Sequence, residues 1–159
     1  MESDKPIITQ LIKLLTEGNA HATFEQAVAD LPEEYRGKRP DGLPYSVWEL
    51  VEHIRIAQYD ILDFSINPNY KEMVWPDDYW PENQALIDDA AWHSSIKQIQ
   101  EDKKKFIAVI SDPNADLYTP FKHGTGQNLL REALLIADHN SYHVGQIVLI
   151  RRLLGQWGE

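Results

Sequence analysis

Apolar residues in this chain recur at the three- and four-residue spacing of an α-helix, and there is no sustained two-residue alternation of a strand. Ile8, Leu11, Ile12, Leu15, Asn19, Ala22 and Ala29 mark the inner stripe of a first helix, expected from about Lys5 to Leu31 and stopped by Pro32. Val47, Leu50, Ile54, Ala57 and Ile61 mark a second. It opens at Ser46, where Ser46 and Glu49 have the spacing of a capping box, and ends before Pro68. Trp92, Ile96, Ile99, Phe106 and Ile110 mark a third, from about Gln84 to Ser111, stopped by Asp112-Pro113. The fourth starts near Thr125, a plausible N-cap, and ends at Gly155, a natural C′ residue. No Asn-Gly or Asp-Gly hairpin sits between β-branched runs. These elements predict an all-α fold, a four-helix bundle in one domain spanning residues 1–159. Connections of a dozen or more residues leave room for a crossover.

Two connections matter. Glu33 to Pro44 is rich in Gly, Pro and charge. Asn69 to Asn83 contains MVWPDDYWPEN, whose two prolines and three large aromatics exclude a regular helix. Long loops in compact domains are uncommon and often functional. This one reads first as a hydrophobic flap over a bundle end, and second as the wall or lid of a pocket.

Several function classes are excluded. With no cysteine, disulfides, Cys-ligated zinc, iron–sulfur clusters and a cysteine nucleophile are out. A net charge of −10, from 25 acidic against 15 basic residues, opposes nucleic-acid binding, which needs clustered cations. The short basic clusters Lys103–Lys105 and Arg151–Arg152 read as solvated helix faces. No apolar run approaches the roughly 20 residues of a membrane span. The opening MESDKPIITQL has no signal-peptide character, so the expected compartment is the cytoplasm and no membrane partner is expected.

The sharpest functional signal is IADHNSYHVGQIVLI, Ile136 to Ile150. His139 and His143 lie about 40° apart on the fourth helix, one turn apart. Glu132, Leu135, Ile136, Gln146, Ile150 and Leu153 share their face, so the two imidazoles are on the apolar side. Such a pair can hold one transition metal at about 2.0–2.1 Å, or be satisfied by ordinary hydrogen bonds. A third ligand must come from another helix. His21 lies off its helix's stripe and His123 lies in a loop. His53 and His93 both sit on stripe edges, and periodicity does not choose between them.

DHNSYHVGQI, Asp138 to Ile147, resembles the C-terminal motif of the DinB superfamily of DinB/YfiT-like metalloenzymes. YSVWELVEHIRIAQYDIL, Tyr45 to Leu62, resembles that family's upstream motif. The resemblance covers nearly the whole chain and rests most on His-x-x-x-His-x-Gly-Gln. It implies a four-helix bundle with a crossover connection, usually a homodimer. It also implies a divalent metal held by His53, His139 and His143. Imidazole donors point to Zn or Ni, with Fe or Mn possible. Relatives include metal-dependent transferases that join a low-molecular-weight thiol, such as bacillithiol or mycothiol, to an electrophile. Others are a maleylpyruvate isomerase and colibactin-type hydrolases. The expected function is therefore metal-dependent thiol transfer to a small molecule. Hydrolysis or isomerisation at the same site, or a non-catalytic bundle with a structural metal, are the alternatives.

Around that site, Gln146 is a candidate to orient a ligand or touch substrate. Tyr142 is a candidate proton donor, although core packing is its first reading. Glu132 reads first as a helix-surface acid, then as a partner to the histidines or a ligand. Trp48 reads as core filling before pocket wall, and Gly145 as an allowance for close helix packing.

Overall fold

The computed structural model describes residues 5–82 and 88–158. Asn83, Gln84 and Met1–Asp4, on which three of the sequence expectations fall, lie outside them. All regular structure among the described residues is helical: α1 (Lys5–Thr16), α2 (Phe24–Val28), α3 (Glu33–Arg36), α4 (Val47–Ile66), α5 (Asp89–Ser111) and α6 (Leu129–Leu153), with one 3-10 turn at Asp77–Tyr79. No strand occurs among them. α4 packs against α5 and α6, α1 against α5 and α6, and α2 against α6.

The expected first helix is broken. Gly18 and Asn19 take positive φ, at 63° and 41°, a conformation that ends an α-helix. The chain restarts at Thr23, where the side chain accepts from the Gln26 N–H and the Gln26 side chain accepts from the Thr23 N–H. Asn19 and Ala29, assigned to the stripe, are exposed, while Ala27 and Val28 are buried. Within the expected loop, α3 forms between Pro32 and Gly37.

α4 begins as the sequence indicates, with both hydrogen bonds of the Ser46–Glu49 capping box present. Arg39 also pairs with the Glu49 carboxylate. α6 starts later than Thr125. Its N-cap is Asn128, whose side chain accepts from the Arg131 N–H at 2.9 Å and donates through Nδ2 to the Tyr118 carbonyl at 3.0 Å. Thr125 is held in a preceding turn by the Gln127 side chain. Gly155, φ 68°, follows the last turn as expected.

Among the described residues, two apolar clusters fill the interior. One gathers Phe24, Val28, Trp48, Ile54, Trp92 and Ile147. The other gathers Leu11, Ile61, Phe106, Ile110 and Ile136. Trp48 is core, as read. Arg151 is not the solvated residue expected: it is buried, and its guanidinium donates to the carbonyls of Ala27, Ala29 and Gln156. A buried cation is tolerated because each such bond is charge-assisted. Lys103 pairs with Glu25 on α2. Gly145 faces outward with nothing near its missing Cβ, so close helix packing is not its role. Leu153, assigned to the apolar face, is exposed.

Candidate metal centre

α4 delivers His53 and α6 delivers His139 and His143 to one point in the bundle. The three imidazoles are mutual neighbours, with ring centroids 4.9, 4.6 and 4.5 Å apart. One nitrogen from each lies within 4.8 Å of the others. His53 is 2% exposed and His143 is 7% exposed. Periodicity left His53 and His93 undecided. The structure brings His53 to the pair, whereas His93 is exposed on α5 and pairs with Asp89. His21 is exposed and contacts Ser141, and His123 contacts the Phe64 carbonyl.

Hydrogen bonds aim two of these rings. His53 donates Nδ1–H to the Tyr79 carbonyl at 2.7 Å. His143 donates Nδ1–H to the Gln146 side-chain oxygen at 2.6 Å. Both acceptors lack a proton to give, so each Nε2 carries a free lone pair. The Nε2 of His53 stands 3.0 Å from the Nε2 of His139. Among the described residues, the outer nitrogen of His139, Nδ1, has no hydrogen-bond partner although it is buried, and neither has the neighbouring Asn140 Oδ1. Asn140 is itself anchored: its Nδ2 donates to Gln58 Oε1, and Gln58 Nε2 donates to the Ile99 carbonyl.

The electrostatics keep the rings neutral. Burial, then the adjacent His143 and His53, hold His139 down to about 4. Burial also holds His143 down to about 4, with His53 adding to it against the Gln146 bond. Burial lowers His53 against its bond to Tyr79. Neutral imidazole is the form that binds a metal. The donor set therefore fits a divalent transition ion: three unprotonated nitrogens converge, and carboxylates are not among them. A hydrogen bond between the two Nε2 atoms would satisfy that pair alone and leave the third imidazole unused.

The centre forms the floor of an open cavity of about 960 Å³. Trp75, Pro76, Asp77, Tyr79 and Trp80, from the segment read as flap or pocket wall, line it. Trp80 lies sandwiched between Tyr45, at 4.5 Å, and His53, at 4.2 Å, with rings nearly parallel. The segment is pinned by Asp60, a buried acid on α4 that accepts from the hydroxyls of Tyr79 at 2.6 Å and Tyr70 at 2.7 Å.

Tyr142 is not a core residue. It is 65% exposed and stands at the cavity wall beside His143. Gln146 is where an orienting residue should be. Glu132 is not a surface acid. It is 1% exposed, contacts Arg131, and burial raises its pKa. It is absent from the residues that line the histidine cavity. Sequence reasoning missed Asp60, Trp80, Asn140 and the Tyr79 carbonyl. Only Trp80 had a signal, as part of the aromatic loop.

A family model of the DinB superfamily matches residues 19–147, which include all three histidines. The chain belongs to the DinB superfamily. No curated protein and no solved structure matches it. The match spans most of this DinB chain, from the turn before α2 into α6. Among the described residues of this DinB protein, no helix is long and apolar enough to cross a membrane.

Proposed function

We propose that this DinB protein is a metal-dependent enzyme whose divalent ion, Zn or Ni in first place and Fe or Mn next, is held by His53, His139 and His143. We propose that it activates a low-molecular-weight thiol for attack on an electrophile. One observation carries this reading: three neutral imidazoles, two of them aimed by their other nitrogen, converge at the floor of a large open cavity. A closed structural site fills all four positions with protein ligands, whereas a reactive site keeps one for substrate. A divalent ion there supplies Lewis acidity, which makes a thiol or a water more acidic at neutral pH.

The chain's own residues have separate parts. Tyr79 and Gln146 fix the Nδ1 protons of His53 and His143 and so expose Nε2. Trp80 and Tyr45 shield one side of His53 from water. Tyr142, beside His143 at the cavity wall, is placed to give or take a proton from a molecule bound there. The cavity holds no thiol of its own, since the chain has no cysteine, so the nucleophile must enter from solution. The same site suits a hydrolase or isomerase. A homodimer and a cytoplasmic location belong to the same reading.

The test is metal content by plasma mass spectrometry on untagged protein, with His143→Ala alongside. About one Zn or Ni per chain, lost in the variant, is expected for a three-ligand site. Protein that neither carries nor takes up metal would refute the reading. Turnover of an electrophile that requires added thiol separates transfer from hydrolysis or isomerisation.

A further inference from the structure

The cavity above the histidines has an unusual charge pattern for a protein expected to handle small metabolites. Its walls are aromatic and aliphatic, with Trp75, Trp80, Tyr45, Tyr142, Ile61 and Leu135 among them. Among the described residues, the only charged ones that line it are Asp60 and Asp77, both acidic. No Lys or Arg lines it. The segments outside the described residues, Met1–Asp4, Asn83–Ile87 and Glu159, contain none either. Two adjoining cavities each hold a cation: one of about 540 Å³, which shares Asp60 and Tyr79 with the main cavity, has Arg131, and one of about 490 Å³, which shares Asp77 and Trp80 with it, has Arg55. Both are engaged, Arg131 by the Glu132 carboxylate at 2.9 and 3.1 Å and Arg55 by the Glu52 carboxylate at 2.8 and 2.9 Å.

An anion entering the main cavity therefore meets three obstacles. It loses hydration without a cationic partner. It faces aromatic rings, whose faces carry negative potential. It also approaches a protein of net charge −10. Cations and neutral flat molecules meet none of these; a cation over Trp or Tyr is attracted.

We propose that this pocket selects by charge: it takes a flat, aromatic or otherwise apolar molecule whose body is neutral or cationic, and it excludes molecules that carry carboxylate, phosphate or sulfonate on that body. The one place for an anionic group is the histidine centre itself, a clause that rests on the metal reading above. A thiol substrate of this protein is accordingly one without pendant carboxylates.

Three phenylmethanethiols that differ only at the para position test this: a methyl ester, a carboxylate and a trimethylammoniomethyl group. Their affinities are measured by calorimetry on zinc-loaded and zinc-stripped protein. The ester and the ammonium compound should bind at least about tenfold more tightly than the carboxylate in both forms. Stripping zinc should weaken all three together, because the shared thiol loses its partner. Trp75→Ala, an exposed position at the rim, should weaken the ester and ammonium compounds without changing zinc content. A carboxylate that binds as well as the ester overturns the proposal. So does failure of the ester and ammonium compounds to bind, or unchanged affinity in Trp75→Ala. The two readings fail separately. If no zinc is taken up, the metal reading falls while the order on zinc-free protein still decides this one.

Discussion

Gln146 accepts the Nδ1 proton of His143 one helical turn away, at 2.6 Å, and so decides which nitrogen of that ring faces the cavity. An amide can turn and donate instead, which would put the lone pair on the wrong side. Partners of this kind are worth about 10–100-fold in metal affinity. Gln146→Leu should therefore weaken zinc binding by about that factor, read by competition with a chromophoric chelator. Gln146→Glu keeps an acceptor at the same reach and should retain most of the affinity. Equal losses in both would show that acceptance is not what the side chain contributes.

Asn140, the residue after His139, holds an acceptor that the structure leaves unbonded. Its Nδ2 is fixed by Gln58, which leaves Oδ1 as a buried acceptor beside a buried Nδ1 that has no other partner. A bound ion on the Nε2 side requires the proton on Nδ1, and Asn140 Oδ1, the unbonded acceptor of the next residue, is expected to receive it. Asn140→Leu should lower zinc affinity about tenfold or more. In the zinc-free protein, imidazole nitrogen shifts from NMR should show the His139 tautomer released, while His53 keeps its Nδ1 proton on Tyr79.

Acid should destabilise the zinc-free protein through these rings. His139 and His143 titrate near 4 when folded, against an ordinary value of 6.5. Between those values the unfolded chain binds more protons than the folded one, so stability falls as pH drops from about 6.5 through about 4. Above about 6.5 both states are neutral at these positions and no slope arises from them. Urea midpoints should fall across that window, and His139→Gln with His143→Gln should flatten the fall. An unchanged slope in the double variant would assign acid sensitivity to other groups.

Asp60 joins two tyrosine hydroxyls from the 70–80 segment to α4. Asp60→Ala removes both acceptors and leaves two hydroxyls to find water. Hydrogen bonds to a charged group are worth roughly 1.5–3 kcal/mol each when partly buried. Because the freed hydroxyls recover part of this from water, Asp60→Ala should cost less than the sum of two such bonds, about 2–4 kcal/mol in chemical denaturation, and raise amide exchange across residues 74–80. Tyr70→Phe removes one of the two bonds and should cost about half as much. Exchange confined to α4 would contradict the pinning role.

Sequence periodicity carried the helices that matter for the site, and spacing alone put His139 and His143 on one inward face. What it could not carry was azimuth between helices. His53 and His93 are both stripe-edge residues, and only the packing of α4 against α6 separates a ring at the centre from one paired with Asp89 in solvent. The break after α1 had local signals, Gly18-Asn19 and the Thr23–Gln26 capping box, which a long apolar stripe outweighed in the reading. Thr125 lost to Asn128 because a cap is settled by which side chain reaches the N–H three residues on. Arg151 misled because a charge run is ordinarily solvated, and two of the three carbonyls it donates to, Ala27 in α2 and Ala29 at its end, are more than a hundred residues away. The Tyr79 carbonyl is a backbone group and has no signature in side-chain pattern at all.

Tyr79 and Trp80 are adjacent in the chain, yet one orients His53 through its carbonyl while the other covers the face of the same ring and walls the cavity. The loop thus cannot vary freely. Changes at Trp75, at the outer rim, are open to altering which molecule is accepted while the ion stays in place. Changes at 79–80 alter both at once. Divergence of specificity in chains built this way should be concentrated in the outer half of the loop, and a designer who wants a new ligand should begin there and leave the inner dipeptide untouched.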